Sequence, residues 1–235
     1  EDAPLWSIGK YRGIASKIDA LFAIAPVITQ SQLDNFFIAA EYVLSEADPA
    51  LELSEEKRPF AALYDKLRDH SSVLRNGICE TLVLFAVHGN ALFFERLGVD
   101  VNARVAVLIR KLLTPLTAES LHSNNYDLPN YAEAAPEEFL NLIEKDLRNN
   151  NSIVFQLLKP ADTSLFGNYC PRTGLLWALE CLAWKPEHLL RVAKILATLS
   201  TRKIDDNWSN KPEETLKSIF RSWMPQTAAS IEQRI

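Results

Sequence analysis

The chain has 235 residues, of which 48% are hydrophobic and 23% are charged, enough apolar content for a sizeable core and too much for a disordered chain. Its 7 glycines disfavour a turn-rich β architecture. The 25 basic and 30 acidic residues give a net charge of −5 with the signs mixed along the chain, so we expect no nucleic-acid binding, which normally needs a basic stripe.

Helical periodicity dominates the first half of the chain. Apolar residues recur at three- and four-residue spacing over 11–24 and 31–46, and Ser31 is a candidate cap of the second helix. A further helix opens at Ser54, and residues 72–87 are apolar on nearly every side, which is typical of a central buried helix. A short helix over 91–97 and a longer one over 102–113 follow.

The second half repeats one helix-start signal. Pro136, Pro186 and Pro212 are each followed by a carboxylate, the arrangement expected at the first turn of a helix. Residues 173–184 predict a strongly apolar helix, whereas 153–158 fit a short strand or a last helical turn equally well. Asn, Asp and Pro are dense over 124–136, which makes this segment the candidate internal seam of a single module spanning 1–235.

These patterns predict an all-α fold of about ten helices. The spacing between the three proline starts is irregular, so we expect irregular helical hairpins in a HEAT- or TPR-like superhelix rather than a regular array.

No motif for catalysis or cofactor binding is visible. The sequence lacks a phosphate-binding glycine loop, and its four histidines do not have metal-ligand spacing. Cys170 stands in a loop beside Arg172, but no local motif supports a reactive thiol. We therefore expect no cofactor, no metal and no enzymatic activity in this chain.

The tryptophans are concentrated near the C-terminus. Trp177, Trp184 and Trp223 occupy apolar helical positions, which predicts that they are core residues. Trp208 lies in a polar loop, where it can either cover two helix ends or anchor a partner.

The C-terminal half carries a resemblance to a known group of proteins. The stretches that carry it are AEAAPEEFL (132–140), PRTGLLWALE (171–180), LAWKPE (182–187), ILA (195–197), NWSNKP (207–212) and IFRSWMPQT (219–227). Residues 127–230 thereby resemble a block of large, poorly characterised bacterial proteins that often carry a STAND-type P-loop ATPase and are often associated with anti-phage defence. The resemblance implies a helical-repeat region that recognises a ligand or holds the ATPase inactive, with no active site in this region.

The leading hypothesis is a non-catalytic module for protein interaction or ligand sensing, whose partner is another protein or another domain of a larger chain. Its predicted contact residues, which helix packing does not explain, are Arg172, Asp206, Asn207, Trp208, Asn210 and Lys211. Two alternatives are a helical enzyme with a groove built from Glu180, Asp205 or Arg221, and a weak nucleic-acid-binding module.

Location is predicted from what the sequence lacks. The chain begins at Glu1 without an initiator methionine, which favours a piece of a longer protein. No signal peptide is recognisable, the uncharged stretches are too short for a membrane span, and the odd count of 3 cysteines fits a reducing compartment, so we expect a cytoplasmic protein.

Overall fold

The structure is a computed structural model that describes residues 5–161, 163–164 and 167–234. It is 66% helical, and the predicted all-α fold of about ten helices is confirmed. Glu1, Leu165 and Phe166 lie outside the described residues.

The elements follow one another with short connections. The helices are α1 (Lys17–Ile24), α2 (Gln30–Leu44), α3 (Ser72–Leu97), α4 (Val101–Leu113), α5 (Ala118–Ser123), α6 (Leu128–Ala134), α7 (Pro136–Leu147), α8 (Thr173–Ala183), α9 (Pro186–Leu199), α10 (Pro212–Ile219) and α11 (Ile231–Arg234). Shorter 3-10 segments span Ala25–Val27, Pro49–Glu52, Glu55–Tyr64 and Val154–Leu158. Two small antiparallel hairpins pair β1 (Leu5–Ile8) with β2 (Tyr11–Ile14), and β3 (Thr163–Ser164) with β4 (Gly167–Asn168).

The three proline signals are confirmed as helix starts, because α7, α9 and α10 begin at Pro136, Pro186 and Pro212. The cap predicted at Ser31 is wrong: the side chain of Thr29 accepts the amide of Gln32, whose own side chain accepts the Thr29 amide in return. This reciprocal pair satisfies two free amides at the start of α2.

The N-terminal prediction is wrong in part. The helix predicted over 11–24 begins only at Lys17, where Ser16 caps it, and the preceding residues form the β1–β2 hairpin. The predicted helices over 72–87 and 91–97 are one helix, α3, because Gly89 continues the helix and packs against Val101 instead of ending it. The ambiguous segment 153–158 forms a 3-10 turn rather than a strand.

One hydrophobic core runs through the molecule. It extends from Leu21 in α1 to Ala229 near the C-terminus. α6 is central to it, since it contacts α3, α4, α7 and α8, and its Leu128 and Tyr131 are fully buried. The seam predicted over 124–136 is therefore a central part of the core.

A buried ion pair holds the start of this central segment. The guanidinium of Arg75, in α3, donates to Asp127 Oδ2 at 2.6 Å, to the carbonyl of Val43 at 2.6 Å and to Asn124 Oδ1 at 3.2 Å. The hydroxyl of Tyr131 donates to the same Asn124 oxygen at 3.2 Å. These bonds supply the partners that a buried charge requires, and they join α2, α3 and the 124–131 segment.

The helix α8 approaches this segment closely at Gly174. The Gly174 amide donates to Asn125 Oδ1 at 2.9 Å, and a Cβ built on Gly174 would lie 1.7 Å from the backbone oxygen of Asn125. The absence of a side chain at residue 174 is therefore what allows α8 to pack here.

The sequence predicts no membrane span, but the helix α3 meets the length and hydropathy criteria for one. With 26 residues and a mean hydropathy of 1.5 over its best window, α3 is the one helix among the described residues long and apolar enough to cross a membrane. This is weak evidence for a span, because central helices of soluble proteins satisfy the same criterion, and α3 buries Ile78, Leu82 and Phe93 in the core.

Candidate functional site

Five of the six predicted contact residues, all but Asn207, take part in one hydrogen-bonded cluster between the start of α8 and the loop before α10. The side chain of Arg172 is fully buried and its Nη2 donates to both carboxylate oxygens of Asp206, at 3.0 and 2.9 Å. Its Nε donates to the carbonyl of Asn210 at 2.6 Å and its Nη1 to the carbonyl of Lys159 at 3.1 Å. Lys211 Nζ donates to the Asp206 carbonyl at 2.8 Å.

The carboxylate of Asp206 organises the loop around it. It accepts the amide of Ala161 at 2.9 Å and the amide of Trp208 at 3.1 Å in addition to the Arg172 guanidinium. Burial opposes ionisation, but these hydrogen bonds outweigh it and hold the pKa of Asp206 below its ordinary value. The ion pair therefore fixes residues 159–161 and 206–211 against the start of α8.

These contacts correct the prediction that Arg172 and Asp206 form part of an exposed binding surface. Arg172 is 0% exposed, and the carboxylate it binds is 5% exposed, so neither can contact a partner directly without the loop opening. Their polar character is explained by their mutual pairing. Asn207 is exposed, whereas Trp208 is half-buried, and a partner-binding role for these two remains a prediction.

The loop that Arg172 fixes borders a groove with a volume of about 540 Å³. Trp208 and Asn210 are the predicted contact residues that line it. The full lining is Asn125, Tyr126, Tyr169, Cys170, Thr173, Trp177, Glu180, Trp208, Ser209, Asn210, Glu214, Thr215, Ser218 and Gln226. The size lies within the range of about 300–1,000 Å³ that is usual for ligand sites.

Aromatic side chains dominate the apolar part of this groove, which we call the aromatic groove. Tyr126 is 75% exposed and Trp177 49% exposed, and both face it together with Trp208 and Tyr169. The prediction that Trp177 is a core residue is therefore wrong. Trp184 and Trp223 are also exposed rather than buried, by 58% and 83%.

Glu180 is the half-buried carboxylate of the aromatic groove. It lies three residues after Trp177 on α8, and therefore on the same side of the helix. Its Oε1 accepts the hydroxyl of Thr215 at 2.9 Å, and no hydrogen bond to its Oε2 is found within the described residues. Burial raises the pKa of Glu180 and the Thr215 hydroxyl offsets this only in part.

A second polar pair is formed by Tyr169 and His122. The Tyr169 hydroxyl is 3.3 Å from Nδ1 of His122, and burial lowers the pKa of that histidine and raises the pKa of the tyrosine. Cys170 is buried beside it. Asp205 and Arg221, named in the enzyme hypothesis, are not among the lining residues, and no group of acidic, histidine and cysteine residues suited to a metal ion occurs in the described part of the chain.

Sequence reasoning missed Tyr126, Tyr169 and Trp177 as groove residues. The helix α8 is so apolar that its pattern does not distinguish the exposed side, where Trp177, Cys181 and Trp184 recur at helical spacing. The three-residue spacing of Trp177 and Glu180 was the available signal, because it places an aromatic ring and a carboxylate on the same side of α8.

Comparison with known proteins adds no relative: family models, curated proteins and solved structures all give no match to this chain.

Proposed function

We propose that this chain is a non-catalytic helical binding module whose aromatic groove recognises a segment of a protein partner. The observation that carries the proposal is the combination of exposed aromatic rings with a bordering loop held in place by the Arg172–Asp206 ion pair. Aromatic residues are enriched in binding hot spots, and a loop that is already ordered loses little conformational entropy on binding.

The resemblance of residues 127–230 to a helical region of STAND-type ATPases extends this proposal. In that setting the module would be a HEAT- or TPR-like part of a larger cytoplasmic bacterial protein, sensing a ligand or holding the ATPase inactive. The partner would then be a foreign or host protein, or another domain of the same chain.

Selection of peptides from a random display library tests the groove directly. Peptides selected on the unmodified chain should bind about tenfold or more weakly to the Trp177→Ala and Trp208→Ala variants, because each change removes an aromatic face worth more than 1 kcal/mol in a hot spot. Trp223→Ala is the matched control, since Trp223 is more exposed and does not line the groove.

Two results would contradict the proposal. One is a library that yields no peptide whose binding depends on Trp177. The other is a large loss of thermal stability in Trp208→Ala, which would show that this ring covers helix ends instead of anchoring a partner.

A helical enzyme is the second candidate function, and the raised pKa of Glu180 in a groove is the observation that favours it. Catalysis needs further reacting groups within hydrogen-bond reach of a substrate, and the sequence candidates Asp205 and Arg221 do not line the groove. Turnover of chromogenic esters or phosphoesters that disappears in Glu180→Gln would favour the enzyme over the binding module.

A further inference from the structure

The charge of the aromatic groove is one-sided. Its lining includes two carboxylates, Glu180 and Glu214, and no lysine, arginine or histidine among the described residues. Glu214 is paired with Lys217 at 2.6 Å, outside the lining set, whereas Glu180 has no cationic partner among the described residues. The carboxylate beside Trp177 is therefore the one left without a counter-charge.

The two kinds of side chain in this groove attract the same kind of ligand. The face of a tryptophan or tyrosine ring carries negative electrostatic potential and binds an ammonium or guanidinium group within about 6 Å of its centre. A half-buried carboxylate is destabilised by the loss of water around it, and a cation supplies the missing partner. An anion or a phosphate would meet repulsion from both.

We propose that the aromatic groove binds a basic side chain of a partner peptide, a lysine, a methylated lysine or an arginine, with its cation between the aromatic rings and Glu180. This inference rests on the proposed binding role of the groove and specifies the chemistry of the segment it takes. Charge complementarity selects the occupant: the groove is lined by carboxylates and aromatic rings, and the chain as a whole carries a net charge of −5.

The test uses four capped amino acids as probes. They are the Nα-acetyl methylamides of lysine, Nε-trimethyllysine, arginine and norleucine, of which norleucine has the straight apolar stem without the charge. Binding is followed by the NMR signals of the indole N–H groups, assigned by Trp177→Phe and Trp208→Phe substitutions. The cationic probes should shift the Trp177 and Trp208 signals and leave that of Trp223, which does not line the groove, unchanged.

Glu180→Gln should weaken binding of the cationic probes about tenfold or more, because it removes a charge-assisted contact and keeps the shape of the side chain. Glu213→Gln is the matched control, since Glu213 lies on α10 beside Glu214 but does not line the groove. Equal shifts with norleucine and lysine, an unchanged affinity in Glu180→Gln, or no shift at Trp177 and Trp208 with any cation would overturn the inference.

The library selection separates this inference from the proposed function. Selected peptides whose binding depends on Trp177 but that carry no basic residue would support the proposed binding function and refute the inference that the groove takes a basic side chain. The opposite result is indole shifts with the cationic probes but no selected peptide that depends on the groove. It would support a cation site and contradict the proposed binding of a peptide.

Discussion

Replacing Arg172 by methionine removes the guanidinium and keeps a side chain of similar length in a fully buried position. The substitution takes away the donors to the carbonyls of Asn210 and Lys159 and to the carboxylate of Asp206. The carboxylate then keeps its two amide donors, and its remaining cationic partner is the more distant Lys211, whose Nζ lies 3.9 Å from Oδ1.

The expected loss follows from these contacts. Each buried carbonyl deprived of a donor costs about 1–3 kcal/mol, and breaking a buried ion pair by removing one partner costs about 3–5 kcal/mol in total. Since the Ala161 and Trp208 amides still stabilise the Asp206 carboxylate and methionine fills much of the space, we expect the free energy of unfolding to fall by about 3–5 kcal/mol.

Urea denaturation followed by circular dichroism at 222 nm measures this loss. Arg110→Met is the matched control, because Arg110 also donates to both carboxylate oxygens of a single partner, Glu138, but is 57% exposed, which predicts a much smaller loss. The double variant Arg172→Met with Asp206→Asn should recover part of the stability, since the buried carboxylate that lost its guanidinium is gone and the ammonium of Lys211 is partly exposed to water. Equal losses in Arg172→Met and Arg110→Met would refute this reasoning.

Further expectations concern glycine packing and pH. Gly174→Ala should cost about 3 kcal/mol or more in urea denaturation, because its Cβ would overlap the Asn125 backbone, whereas Gly77→Ala, which meets nothing within 4 Å inside α3, should stabilise the chain by about 0.5–1 kcal/mol. The lowered pKa of Asp206 means that its stabilisation is present above the ordinary aspartate pKa and is lost as the pH falls through the native value, so the acid-induced drop in melting temperature should be smaller in Arg172→Met. The raised pKa of Glu180 has the opposite effect on stability, because ionisation of this half-buried carboxyl disfavours the folded state. Glu180→Gln should therefore raise the melting temperature at about pH 7 and have no such effect at about pH 3. An unchanged melting temperature at neutral pH would contradict this.

The three helix starts marked by proline were predictable because their causes are local. A proline followed by a carboxylate suits the first turn whatever packs on it, and α7, α9 and α10 begin as expected. The hairpin before Lys17 was missed because Ile14 in its second strand also fits helical spacing with Ile18, and a strand pair is decided by the partner strand rather than by either segment.

The site was harder to predict because burial depends on residues distant in sequence. Arg172 pairs with a carboxylate 34 positions away, which no local pattern indicates, and charged residues in loops are usually exposed. For Trp177 the difficulty was different: a helix that is apolar on all sides does not show which side its neighbours leave open.

The central position of 124–136 has a practical consequence for dividing this protein. A segment rich in Asn, Asp and Pro is where one would place a truncation or expect a protease to cut, yet here it carries α6 and the buried Asp127 that pairs with Arg75. Fragments ending or beginning in it would each expose half of a shared core. Proteases should therefore leave this segment intact in the folded chain, and the two halves should recover structure only when they are mixed.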